Sequence, residues 1–138
     1  MVNMKAILVT CLIIFSINAL AVDEIKMRLK PEQDLKAPFR LFDTDNIFTK
    51  IALDTETGRV YQVHFSADEK GFSGILPIND SSLLLKDTEA FPGRFTLYET
   101  DNIFNFILVD QFSGRFWQVQ WNNDKKGRII NFLTFYDE

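Results

Sequence analysis

An internal duplication constrains this chain more than any other feature. Residues 39–71 repeat at 95–127 with a constant offset of 56 and no gap. The first copy reads FRLFDTDNIFTKIALDTETGRVYQVHFSADEKG and the second FTLYETDNIFNFILVDQFSGRFWQVQWNNDKKG, identical at sixteen of 33 positions. Unrelated segments of ordinary composition would agree at about one position in sixteen. The chain is therefore two copies of one structural unit, and an argument made on one copy can be checked on the other.

Each unit reads as a four-stranded antiparallel meander. The expected strands are 39–43, 47–54, 59–65 and 72–78 in the first copy, and 95–99, 103–110, 115–121 and 128–133 in the second. Thr44-Asp45-Asn46 and Thr100-Asp101-Asn102 fill the first turn. Asp and Asn suit turns because their side chains bond the local backbone. Gly58 and Gly114 end the second turn, and Gly71 and Gly127 the third; these are four of the chain's six glycines. Glycines spaced in this way indicate hairpins rather than helices.

The third strand is the clearest, with RVYQVHF matched by RFWQVQW. Tyr61, Val63 and Phe65 share one face, as do Trp117, Val119 and Trp121. The other face carries Gln62 and His64, or Gln118 and Gln120. Such alternation predicts one face on a core and one that is solvated. In the second copy Phe104 and Phe106 share one face, and Ile103, Ile107 and Val109 the other. A strand apolar on both faces is central to the fold or meets a partner.

The fold expected is all-β: two homologous meanders, repeats 38–79 and 94–135, packed with approximate internal two-fold symmetry. A meander resembles a propeller blade, but a propeller closes only with about four to eight blades. Two units must bury their faces on each other or on another chain. Leu83-Leu84-Leu85 in the linker 79–93 demands burial, so the linker is expected to cross a sheet.

Residues 1–21 read as a secretory signal: one positive charge at Lys5, an apolar run over 6–17, and an A-x-A site at Ala19-Leu20-Ala21. The run is short for a membrane anchor, which usually needs about 20 apolar residues. Cys11 follows Thr10 early in the apolar run, unlike a lipid-modified cysteine. Cleavage would leave residues 22–138, opening with a charged arm at 22–38 interrupted by Pro31 and Pro38. Those 117 residues suffice for a single domain with a core. Cys11 departs with the signal, leaving no disulfide and no thiol nucleophile. Loss of Lys5 takes the net charge from −4 to −5. Its scattered basic residues argue against nucleic acid and against anionic lipid. An exported protein, periplasmic or extracellular, is expected, with no stable membrane insertion after cleavage.

Reactive groups are sparse. His64 is the only histidine and becomes Gln120 in the second copy, so no multi-histidine zinc site exists. A general base needs an orienting partner, and none is evident for His64. Asp43 and Asp45, matched by Glu99 and Asp101, offer oxygens but no calcium loop. Asp54 and Asp110 stand five residues before Arg59 and Arg115, a spacing that fits a salt bridge across each hairpin. Alternatively Arg59 and Arg115 grip an anionic group on a partner. Tyr61, Tyr98, Trp117 and Trp121 could stack sugars, although alternating strand aromatics are more often core. No Gly-rich phosphate loop, HExxH or GxSxG occurs. The expectation is a non-enzyme with no cofactor, no metal and no catalytic residues. The candidate binding residues are Arg59, Arg115, Gln62, His64, Gln118 and Gln120.

The doubled pattern TDNIF…LD…GRVYQV and TDNIF…VD…GRFWQVQW resembles a group of small exported bacterial proteins with two such units. The group has no established activity, so the resemblance implies architecture and export only. The expected partner is another protein, with an inhibitor or immunity role. A cell-envelope glycan is the alternative.

Overall fold

The computed structural model describes residues 35–136. The expected signal at 1–21 and most of the charged arm lie outside these residues. Eight strands follow in order: β1 Phe39–Asp43, β2 Thr49–Asp54, β3 Val60–His64, β4 Gly74–Asn79, β5 Phe95–Glu99, β6 Asn105–Asp110, β7 Arg115–Gln120 and β8 Ile129–Leu133. They form two open antiparallel sheets, β1-β2-β3-β4 and β5-β6-β7-β8, each a meander. The fold is all-β, and the two sheets coincide with the two sequence repeats. Among the described residues no α-helix occurs; a short 3-10 turn at Lys125–Gly127 joins β7 to β8.

The shared residues build matching turns. Thr44 Oγ1 donates to the carbonyls of Asn46 (3.0 Å) and Thr49 (2.9 Å), and Asn46 Oδ1 accepts from Phe48 N (2.9 Å). Thr100 and Asn102 repeat the arrangement at 3.0, 3.0 and 3.1 Å. Ile47 and Phe48 are thereby held in the turn, so β2 and β6 begin two residues later than their apolar pattern suggests. In the next loop Asp54 Oδ1 accepts from the amides of Glu56 (3.0 Å) and Thr57 (3.2 Å). Asp110 Oδ1 does the same with Phe112 (3.1 Å) and Ser113 (3.2 Å). Gly58 and Gly114 close these loops at φ +76° and +70°, a region that favours glycine.

The copies differ in which face they bury. The front of the first sheet carries Ile51, Leu53, Val60 and Gln62, all with 0% exposure. Their equivalents Ile107, Val109 and Gln118 are half-buried and Phe116 is 38% exposed. The back of the second sheet carries Phe106, Leu108, Trp117 and Val119, all buried. Their equivalents Lys50, Ala52, Tyr61 and Val63 are half-buried. One apolar cluster joins Ile51, Leu53 and Val60 to Phe95, Leu97, Phe106, Leu108, Trp117, Val119 and Trp121. The front of the first sheet thus seats on the back of the second. A strict two-fold axis would bury equivalent residues in both copies; here non-equivalent faces meet. Arg40 Nη1 of β1 donates to Thr96 Oγ1, its counterpart in β5, at 3.1 Å.

This stacking corrects the reading of the third strands. Trp117, Val119 and Trp121 are core, as their alternation suggests, but in the first copy the opposite face is core. Gln62 is fully buried and Phe65 is 42% exposed. Alternation tells which residues share a face, while the neighbouring layer decides which face is covered. The linker between β4 and β5 holds no strand or helix. Leu83 and Leu84 pack against the core, and Leu85 remains 50% exposed.

Candidate functional site

The six sequence-selected residues do not converge. Gln62 and His64 lie on the front of the first sheet, facing the second. Gln62 Nε2 approaches Asn123 Oδ1 at 3.4 Å, and its Oε1 has no hydrogen-bond partner. His64 Nδ1 lies 3.1 Å from Thr49 Oγ1, and its ring stacks on Phe72 at 6.0 Å. Gln118 and Gln120 lie on the other, outward front face. Gln118 Nε2 donates to Asn105 Oδ1 (2.7 Å) and Gln120 Nε2 to the Gly127 carbonyl (3.0 Å).

Arg59 ends one hairpin loop and Arg115 opens β7 just after the matching loop. Arg59 Nη1 is 3.8 Å from Asp54 Oδ2, and its Nε donates to the Asp80 carbonyl at 3.1 Å. Arg115 Nη2 donates to Asp110 Oδ2 (3.2 Å) and to the Leu83 carbonyl (2.8 Å). Its guanidinium also stacks over Trp117, 5.0 Å from the ring centre. Both arginines therefore brace their loops against the linker, with Arg59 the more exposed.

A buried ion pair escaped the sequence reading. Arg94 meets Asp110 in a two-point contact, Nε to Oδ1 at 3.1 Å and Nη2 to Oδ2 at 2.9 Å. Their side chains are 1% and 0% exposed. Arg94 Nη1 also donates to the Glu89 carbonyl at 2.6 Å. The rings of Phe91, Phe95 and Phe112 surround the guanidinium at 5.3–5.8 Å. Burial alone would raise the Asp110 pKa. The hydrogen bonds from Arg94, Ser113 and the Phe112 amide outweigh it and hold the carboxyl below its ordinary range. Arg94 corresponds to Pro38, so the pair exists in one copy only. The visible signal was an Asp shared by both copies beside an arginine that was not.

A concavity lies between the two equivalent first turns, at one end of the stacked sheets. This cleft of about 220 Å³ is lined by Asp43, Asp45, Glu99, Asp101, Ile103 and Phe106, among others. Lys50 Nζ reaches Asp43 Oδ1 at 2.6 Å, so one of these carboxylates is neutralised locally. Around the cleft the same turns expose Ile47 (73%), Ile103 (49%) and Phe104 (43%). Sequence alone presents Asp43, Asp45, Glu99 and Asp101 as oxygens without a calcium loop. What it could not see is that head-to-tail stacking brings the two acidic turns together. Among the described residues, no group of three or more His, Cys, Asp and Glu side chains is arranged to hold a metal ion. Of the four rings considered for sugar stacking, Trp117 and Trp121 are core at 6% and 3% exposure, Tyr61 is half-buried, and Tyr98 is 57% exposed.

Among the described residues no helix is long and apolar enough to cross a membrane. Comparison with protein-family models, with curated proteins and with solved structures finds no match.

Proposed function

We propose that the chain is an exported, non-enzymatic interaction protein whose partner is another protein, in an inhibitor or immunity role. The observation that carries this reading is the cleft between the equivalent turns: carboxylates within it and exposed isoleucine and phenylalanine around it. Protein interfaces combine apolar anchors with polar surroundings in this way. Acidic walls favour a cationic side chain, so a basic segment flanked by apolar residues is the fitting ligand. Arg59 and Arg115 brace the loops at the opposite end of the strands and do not enter this reading as anchors.

The test is co-purification from envelope extracts followed by titration calorimetry with the partner recovered. Asp101→Lys should weaken binding at least tenfold, and Ile103→Asp likewise, because interface energy concentrates in few residues. His64→Gln should leave affinity unchanged. Tight binding to isolated envelope polysaccharide, insensitive to both cleft substitutions, would replace this reading with a glycan-binding one. Turnover of that polysaccharide or of the recovered partner by the pure protein, abolished by His64→Ala, would overturn the non-enzymatic claim.

A further inference from the structure

Head-to-tail packing inside the chain leaves two faces that no other sheet covers among the described residues. One is the back of the first sheet, where Phe39 and Ile75 are each 67% exposed and Tyr61 and Val63 half-buried. The other is the front of the second sheet, where Tyr98 is 57% and Phe116 38% exposed, beside half-buried Ile107 and Val109. Their chemistry follows that of the two faces already joined, except that Lys50 and Ala52 replace the buried Phe106 and Leu108 on the back face. Phe39, Tyr61 and Val63 stand where Phe95, Trp117 and Val119 stand on the buried back face. Ile107, Val109 and Phe116 stand where Ile51, Leu53 and Val60 stand on the buried front face. The internal interface therefore supplies a template for a second one between chains.

We infer that the front of the second sheet docks on the back of the first sheet of another copy of this chain, continuing the stack into a closed ring. A contact between unlike faces repeats with the same rotation at every step, so it closes a ring or grows without end. Four-stranded meanders stacked in this way close at about four to eight sheets, or two to four chains. Each new junction would also set the Glu99–Asp101 turn of one copy beside the Asp43–Asp45 turn of the next. The acidic cleft would then recur between chains as well as within them. This inference does not depend on what the cleft binds.

The experiment is sedimentation velocity on the purified protein and two surface variants, Ile75→Lys on the back face and Phe116→Lys on the front. Both positions are exposed in the single chain, so the variants should keep the parent's circular dichroism spectrum. The parent is expected as one discrete species of two to four chains, and each variant alone as a monomer. Mixing the variants leaves one intact back face and one intact front face, so a two-chain species should form and grow no further. A parent that stays monomeric well above micromolar concentration overturns the inference. A variant that assembles like the parent does so too, because it would point to a symmetric contact. An open-ended size distribution would overturn ring closure.

Discussion

The sharpest energetic test compares one aspartate with its own repeat. Asp54 and Asp110 hold the same loop with the same kinds of bond. Each accepts from two loop amides and from a hydroxyl, Thr57 Oγ1 or Ser113 Oγ. Asp110 alone also neutralises Arg94, whose side chain is 1% exposed. Asp54→Ala removes the loop bonds and should cost roughly 1–3 kcal/mol. Asp110→Ala removes equivalent bonds and leaves a buried guanidinium without a countercharge, which should cost about 3–5 kcal/mol. The difference of about 2 kcal/mol belongs to the Arg94 pair, joined by the Arg115 hydrogen bond that Arg59 does not match at Asp54. With a urea slope of about 2 kcal/mol/M, it separates the two midpoints by about 1 M. Urea titration followed by tryptophan fluorescence reads it, with Trp117 and Trp121 in the core as reporters. Acid gives a second reading. The folded Asp110 pKa lies below its ordinary 3.8, so its contribution is complete above that value. It is lost progressively as pH falls below about 4. The parent should therefore lose more stability on acidification than Asp110→Ala does. Equal midpoints for the two alanine variants, or parallel acid profiles, would refute the assignment of the extra stability to Arg94.

Gly58 and Gly114 form a similar pair. Both have positive φ, but a Cβ at Gly58 would lie 2.9 Å from the Phe95 ring, whereas at Gly114 nothing lies within 4 Å. Gly114→Ala should cost about 1–2 kcal/mol from backbone strain. Gly58→Ala should cost about 1–3 kcal/mol more from overpacking, and equal thermal shifts would contradict this. Trp117→Ala should cost about 3–5 kcal/mol by denaturant titration. A loss below about 1 kcal/mol would place the ring at the surface.

The duplication made the strands, turns and connectivity legible. The turn residues explain why: Thr44 with Asn46, and Asp54 with Gly58, bond within their own loops, so local sequence suffices. Strand ends were misjudged by one or two residues because Ile47 and Phe48 look like strand but are held by Asn46. Whatever depends on a second layer was not legible. Gln62 looks like a solvated residue and is buried, because the other sheet happens to cover that face. Arg94 looks like a linker residue and is the most enclosed cation described, because Asp110 and Phe112 from the distant β6–β7 hairpin close on it beside its own neighbours Phe91 and Phe95. Likewise the acidic cleft exists only once two turns, 56 residues apart in sequence, are set side by side.

The meander leaves β4 and β8 at corresponding edges of their sheets, and the two edges are not equally guarded. β4 carries Pro77, which has no N–H to offer an incoming strand. β8 lies within residues 129–135, reading IINFLTF, with no charge, proline or glycine. Phe132, Leu133 and Phe135 are all well exposed there. Short uncharged stretches of this kind are the ones that seed cross-β fibrils when their backbone edge is open. In concentrated or partly unfolded protein, amyloid-type aggregation should therefore start from the C-terminal strand rather than from its counterpart in the first repeat.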